Sequence, residues 1–303
     1  MLKTTNYDVV ILGSGPAGLQ AAIHAARRKV SVLLLGKDTQ SSLFHAHIEN
    51  FCCLFNVKGE DLLNVGRQQA VSFGTYVLEE DVLQVLPAGQ VFKIVTESGQ
   101  ELQTYSLIIA TGTTRNKLGV AGEKELLGRG VSYCVECDAN FYQGEDVAVV
   151  GSASAAVDGA LTMLDYAATV HLICDKLDIA DALKKQLKDS AVVTHDGQQI
   201  KEIVGRNSVK AVILKNGSEI PVTGVFIELG AKGVMELATP LGVQLDDQMK
   251  YVRTNKKMET NVAGVFAAGD ICGPPWQMAK AVGEGCVAGI GAATYARKLN
   301  KSG

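Results

Sequence analysis

Asp8-Val-Val-Ile-Leu-Gly-Ser-Gly-Pro-Ala-Gly18 is the stretch that decides the fold. Its first five residues are a short apolar run rich in β-branched side chains. An Ala-rich stretch of strong helix formers follows the glycines and continues to Arg28. A second apolar run, Val30 to Leu35, completes a strand, tight turn, helix and strand. In that setting each glycine has its own task. Gly13 permits the sharp turn, Gly15 lets the backbone approach a pyrophosphate, and Gly18 lets helix and strand pack closely. The phosphates of a dinucleotide would rest on the helix N-terminus.

The pattern restarts at Asp146-Val-Ala-Val-Val-Gly151, continues in a helical stretch from Ala156 to Tyr166, and meets another strand at Thr169 to Ile173. Elsewhere, runs such as Phe92 to Thr96 before Ser98-Gly99, and Val212 to Leu214 before Asn216-Gly217, read as antiparallel strands ending in turns. The expected fold is α/β, with two Rossmann-like three-layer nucleotide-binding domains carrying antiparallel β insertions. No low-complexity linker separates them, so the breaks fall in short segments near Thr114 to Lys117 and near Pro240. One domain is then discontinuous, 1–116 with 241–303, around a central domain, 117–240.

A length of 303 residues, 47% of them hydrophobic, can bury the cores of two such domains. A net charge of -3 with 20% charged residues argues against a nucleic-acid binder. No apolar run approaches the roughly 20 residues that span a bilayer. The polar start at Met1 to Tyr7 leaves no room for a signal peptide, so a cytoplasmic location is expected. Seven scattered cysteines do not resemble a secreted disulfide framework. Adjacent Cys52 and Cys53 read as buried packing residues.

The first turn lacks the usual ribose-binding carboxylate, because the second strand runs into Gly36-Lys37-Asp38. That weakens an NAD reading and leaves FAD open. Leu107-Ile-Ile-Ala-Thr-Gly112 and Val265-Phe-Ala-Ala-Gly-Asp270 are apolar strands ending in small residues. Together with the first turn they resemble the segments of two-dinucleotide-domain flavoproteins, which implies FAD and gives Asp270 a hydrogen bond to the ribityl chain. The second turn is degenerate: Ala153 stands where a pyrophosphate would come closest, and Cys174 to Asp181 carries three aspartates and one lysine. Clustered carboxylates repel an NADPH 2′-phosphate.

Cys134 and Cys137 have the spacing of a redox-active pair. Zinc binding would need two further ligands, and no second CxxC or CxxH exists, so no metal site is expected. Unrelated core cysteines remain an alternative. Asp138 could shuttle the proton of dithiol exchange or cap a helix, and the roles are compatible.

With these residues in hand, Gly130-Val-Ser-Tyr-Cys-Val-Glu-Cys-Asp138 and Phe141-Tyr142 resemble the low-molecular-weight thioredoxin reductases, and the likeness runs nearly the whole length. It implies flavin contacts at Gly13, Ser14, Gly15, Pro16, Ala17, Asn50, Thr111, Gly112, Gly269, Asp270, Gln277, Met278 and Ala279. Met278 departs from the family pattern. The resemblance also implies that Cys137 faces the flavin, Cys134 attacks the partner disulfide and Asp138 donates the proton, in a homodimer acting on thioredoxin or a similar dithiol protein. The departures all fall in the pyridine-nucleotide half, at Gly151 to Ala156, Ile173 to Asp181 and Leu229 to Val234. They resemble NADPH-independent members, so a donor such as ferredoxin is expected, docking on Arg27-Arg28-Lys29 and on Arg297, Lys298 and Lys301. A dithiol oxidase using oxygen and a non-catalytic FAD-binding regulator are the alternatives. His45, His47 and Trp276 fall in segments expected near the flavin, and His171 reads as a core residue.

Overall fold

The computed structural model describes residues 5–112, 117–229, 234–247 and 249–300. The expected break at Thr114 to Asn116, most of the 229–234 departure, and Lys301 lie outside them. In chain order the first elements are β1 (Asn6–Leu12), α1 (Pro16–Ala26), β2 (Val32–Leu35), the short hairpin β3 (His47–Ile48) and β4 (Val57–Lys58), and α2 (Gly59–Ser72). Then come β5 (Tyr76–Leu78), β6 (Val82–Ala88), β7 (Val91–Thr96) and β8 (Glu101–Ile109). The next group is β9 (Val131–Ser132), α3 (Val135–Asp138), β10 (Asp146–Val150), α4 (Ser154–Met163), β11 (Thr169–Ile173), α5 (Asp181–Lys188) and β12 (Val193–His195). It continues with β13 (Ile200–Gly205), β14 (Val209–Leu214), β15 (Glu219–Pro221) and β16 (Gly224–Ile227). The chain ends in α6 (Val234–Ala238), β17 (Val265–Ala267) and α7 (Met278–Asn300).

Two compact units result: Met1–Thr96 with Gln100–Thr114 and Gly233–Gly303, and Glu97–Gly99 with Arg115–Lys232. The first is built on a sheet of order β5-β2-β1-β8-β7-β6, in which β17 also pairs with β8. β5, β2, β1, β8 and β17 are parallel, while β7 and β6 are antiparallel. Side chains of β1 alternate between the two faces with the period of two that a strand imposes. Val9 and Ile11 join a core with α1, α2 and α7, while Val10 and Leu12 join one with β6, β7 and α6. Leu237 and Ala238 are buried in that second core, so α6 belongs to the first unit and the chain returns to it before Pro240.

The second unit has a five-stranded parallel sheet, β12-β11-β10-β16-β9, and an antiparallel sheet, β13-β14-β15. Val131, Ala148, Val150, Val225 and Ile227 meet Val212 and Leu214 in one apolar core. Each buried Val, Leu or Ile side chain contributes about 1.5–3 kcal/mol relative to exposure. The expected strands at Asp146–Val150 and Thr169–Ile173 stand at those residues, whereas α4 begins at Ser154 and ends at Met163, before Tyr166. Among the described residues no helix is long and apolar enough to cross a membrane.

Candidate functional site

In the first unit the sequence-predicted residues converge at the carboxyl ends of β1, β8 and β17, where Leu12, Ile109 and Ala267 are neighbours in register. Such an end is where ligands bind in open parallel sheets. A methyl group on Gly13, whose φ is 108°, would lie 2.4 Å from the Ala110 carbonyl oxygen, which puts the turn against the Ala110–Gly112 segment. A methyl on Gly269 would lie 2.9 Å from Cβ of Ala17, which brings the Gly269-Asp270 segment to the start of α1. Gly18 lies against the turn itself: a Cβ there would come within 1.8 Å of the Gly13 carbonyl oxygen.

The turn also leaves room. A Cβ on Gly15 would meet only Ser41 Oγ, at 3.3 Å. Pro16 begins α1, Gly15 gives no side-chain cap, and the first turn holds no acidic residue. The amide groups of this end are therefore a place for an anion. Ser14 is buried, and Thr111 Oγ1 is buried with no hydrogen-bond partner among the described residues, a polar atom that a ligand would satisfy. Burial pushes the Asp270 carboxyl up from its usual range; Lys280 opposes this and Glu284 adds to it. Asn50 Nδ2 donates to Gln277 Oε1 at 3.0 Å, joining a loop residue to the approach to α7. Met278 and Ala279 are the first residues of α7. The site thus fits FAD in donors, space and polarity.

Sequence reasoning missed the clamp behind this site. Gly269 N–H donates to Glu284 Oε2 at 2.9 Å, and Lys280 Nζ donates at 2.9 Å both to that oxygen and to the Gly269 carbonyl. The i, i+4 spacing of Lys280 and Glu284 on α7 was the available signal.

The second unit carries the cysteine pair. Cys134 and Cys137 form a disulfide, with Cα atoms 5.4 Å apart. Cys137 is exposed, whereas Cys134 is 6% exposed. The Cys137 N–H donates to Cys134 Sγ at 3.2 Å, and the Val135 N–H donates to the buried Glu228 Oε1 at 3.2 Å. Ser132 Oγ donates to Asp138 Oδ2 at 2.7 Å and accepts from the Cys134 N–H at 3.0 Å. Asp138 makes no side-chain cap to the short helix after it, so its carboxylate is tied to Ser132 rather than spent on capping. Ser132 and Glu228 lie at the ends of β9 and β16, and the sequence held no signal for either.

The second turn differs from the first. Gly151 packs so closely that a Cβ would lie 2.1 Å from the Glu228 carbonyl oxygen, and Ala153 caps α4 where the first turn has an open glycine. The segment after β11 folds onto the turn. Asp178 N–H donates to the Ser152 carbonyl at 2.8 Å, and Asp175 N–H donates to Ser152 Oγ at 3.2 Å. Asp175 Oδ2 is held by Gln199 Nε2 at 2.9 Å.

Two expectations are corrected. Cys52 and Cys53 are not packing residues: both are exposed, because they are the middle residues of a surface turn closed by Leu54 N–H donating to the Phe51 carbonyl. His171 is half-buried rather than core, and its Nδ1 lies 3.0 Å from Nε2 of His195. Burial lowers both imidazole pKa values; for His171 the His195 charge adds to this and Asp146 opposes it. The unfolded chain therefore binds protons first, and stability present above about pH 6.5 is lost as pH falls through the lower folded values. Thermal midpoints are expected to fall between pH 7 and 5, with a shallower fall in His195→Gln. Equal slopes in the two proteins would refute this. His47 is hydrogen-bonded to Asn56, His45 stacks edge-on against Phe44 and Trp276 is exposed.

The fold and these sites define a protein of the dinucleotide-binding redox class that carries a closely spaced disulfide. Residues 7–285 match the family described as pyridine nucleotide-disulphide oxidoreductase, and the chain belongs to it. It is 35% identical to the thioredoxin reductase of Listeria innocua, over 98% of this chain and 96% of that protein. The atypical thioredoxin reductase TRi from Desulfovibrio vulgaris Hildenborough has a TM-score of 0.82 at 31% identity, over 96% of this chain and 98% of that one. A ferredoxin-flavin thioredoxin reductase from Clostridium acetobutylicum has a TM-score of 0.69 at 32% identity, over 98% and 99%. The chain is thus a thioredoxin reductase-like flavoprotein and an oxidoreductase.

Proposed function

We propose that this protein binds FAD and reduces the disulfide of thioredoxin, or of a similar dithiol protein, with electrons from a donor other than NADPH, a ferredoxin being favoured. The observation that carries the donor assignment is the second turn. Ser152 accepts from the Asp175 and Asp178 N–H groups, Ala153 stands at the open glycine position, and the segment carries Asp175, Asp178 and Asp181 where binding a 2′-phosphate would call for cations. The likeness to a ferredoxin-flavin thioredoxin reductase agrees with this. So does a basic patch: exposed Arg297 donates to the carbonyl of exposed Arg28 at 3.5 Å, joining two cationic runs that an acidic donor could meet. A homodimer in the cytoplasm is part of the proposal.

Gly13 to Gly18, Asn50, Thr111, Gly112, Gly269, Asp270, Gln277, Met278 and Ala279 would hold FAD, which when bound supplies a two-electron couple. The chain's own residues manage the sulfur chemistry. After two electrons open the Cys134–Cys137 bond, one proton goes to the Cys137 sulfur and the other to Asp138, and the Cys137 N–H stabilises the thiolate left on Cys134. That thiolate attacks the partner disulfide. Asp138, held by Ser132, delivers the proton to the leaving partner sulfur. Phe141, 80% exposed and close in sequence to the pair, offers an apolar contact for the partner. Asp138→Asn is expected to slow disulfide reduction about 10²-fold with flavin content unchanged. Unchanged turnover would remove Asp138 from the proton path.

The donor is tested by mixing the holoprotein anaerobically with NADPH or with reduced ferredoxin and following flavin absorbance. Bleaching by ferredoxin alone is expected. Rapid bleaching by NADPH would overturn the donor assignment.

A further inference from the structure

Two residues beyond Asn50, with neither sulfur used by the flavin site or the disulfide, Cys52 and Cys53 put two exposed free thiols side by side, Sγ to Sγ 3.5 Å apart. They occupy the two central positions of a turn, and Cys53 has φ 70°, a left-handed conformation that glycine or asparagine adopts far more readily. A side chain kept against its backbone preference points to a task for that side chain. Both cysteines are exposed, as is neighbouring Phe55 at 91%.

A disulfide between them is disfavoured by geometry. Consecutive Cα atoms are about 3.8 Å apart across a trans peptide, short of the roughly 4.4–6.8 Å that unstrained disulfides span. A bond there would be easily reduced. Bridging by a third atom needs no such compression. A soft centre bonded to both sulfurs at about 2.3 Å, the zinc–thiolate length, would subtend about 100° across the observed gap. Zinc itself wants four ligands, and among the described residues no group of three or more His, Cys, Asp or Glu could hold a metal ion. A centre satisfied by two thiolates is required.

We propose that Cys52 and Cys53 are a vicinal dithiol site for monosubstituted trivalent arsenicals, bound through both sulfurs. In the binding step an organic arsenoxide, R–As=O, meets the two thiols. Two As–S bonds form, two S–H bonds break, and the oxygen leaves with both protons as water. No oxidant or reductant is consumed, and the third arsenic bond stays with its organic group. The assignment is independent of the donor and of the cofactor.

The Cys134–Cys137 disulfide makes the test selective, because in the oxidised protein that pair has no thiol to offer. Cys174 is buried and its thiol is pushed up to about 11, and that of Cys272 is pushed up to about 12, in both cases chiefly by burial. Cys286 is a single half-buried thiol and cannot chelate. Oxidised full-length holoprotein is incubated with phenylarsine oxide, washed with excess monothiol, and examined by intact mass, thiol titration and peptide mapping. One retained adduct, two thiols lost and a bridge on the peptide carrying Cys52 and Cys53 are expected. Cys52→Ser and Cys53→Ser, both at exposed turn positions, are each expected to lower retention on the order of 10²-fold, as loss of the second attachment predicts. A Cys134→Ser/Cys137→Ser double variant keeps the adduct. Three results would overturn the proposal: no retained adduct in the oxidised protein, an adduct that survives Cys52→Ser, or a Cys52–Cys53 disulfide in the protein as purified.

Discussion

Reduced Cys137→Ser protein, mixed with an oxidised thioredoxin, is expected to accumulate a mixed disulfide through Cys134, while reduced Cys134→Ser protein is not. Two features of the pair bear on this and point in different directions. Accessibility favours Cys137, which is exposed while Cys134 is 6% exposed. Electrostatics favours Cys134, whose Sγ receives the Cys137 N–H at 3.2 Å, so negative charge settles there once the bond is open. The thiolate is the nucleophile, so in the proposed reaction charge outweighs exposure. In the proposed reaction Cys137 next attacks the Cys134 sulfur and frees the partner dithiol. With serine at 137 that step has no nucleophile and the mixed disulfide persists. Each single variant loses turnover by on the order of 10³-fold or more, because the two sulfurs act as one unit. Gel mobility without reductant and intact mass identify the trapped species. Trapping by Cys134→Ser instead would exchange the two roles.

The strand-forming runs and the glycine turns were legible because their information is local. A β-branched run into Gly13-Ser-Gly15 has few other ways to fold, and the same holds at Asp146 to Gly151. The CxxC spacing was legible for the same reason. What stayed hidden depends on residues distant in the chain. Glu228 meets Val135 from 93 positions away, and Asn50 meets Gln277 from 227. Thr111 could be named only through the resemblance, since an unpartnered hydroxyl is a property of its surroundings. The reading of Cys52 and Cys53 failed because a pair of apolar-leaning residues between Phe51 and Leu54 looks like core. The turn that exposes them is set by a backbone bond from Leu54 to Phe51 and by the positive φ of Cys53.

The packing of α7 on α1 was equally hidden, and it carries the other large expected effect. Gly285 and Gly289 lie one turn apart on α7. A Cβ on Gly285 would come within 2.2 Å of the Ala17 carbonyl oxygen, and one on Gly289 within 2.3 Å of the Ala21 carbonyl oxygen. Both obstacles are backbone, so no side chain can swing aside and the helices would have to part. Ala17 belongs to the first turn of α1, whose amides are the proposed phosphate site, and α7 holds Gly269 through Lys280 and Glu284. Separating the helices would therefore disturb both walls of the proposed cofactor cradle at once. Gly285→Leu is expected to cost about 3 kcal/mol of stability, as overpacking at a rigid contact does, and to yield protein purified with little flavin. Gly283→Ala is the control, because a Cβ at Gly283 meets nothing within 4 Å. It sits in the same helix and exchanges glycine for a better helix former, so it should be neutral or slightly stabilising. Urea midpoints and the flavin-to-protein absorbance ratio read both variants. A Gly285→Leu protein that keeps full flavin and the native midpoint would show that the two helices can move apart without opening the site.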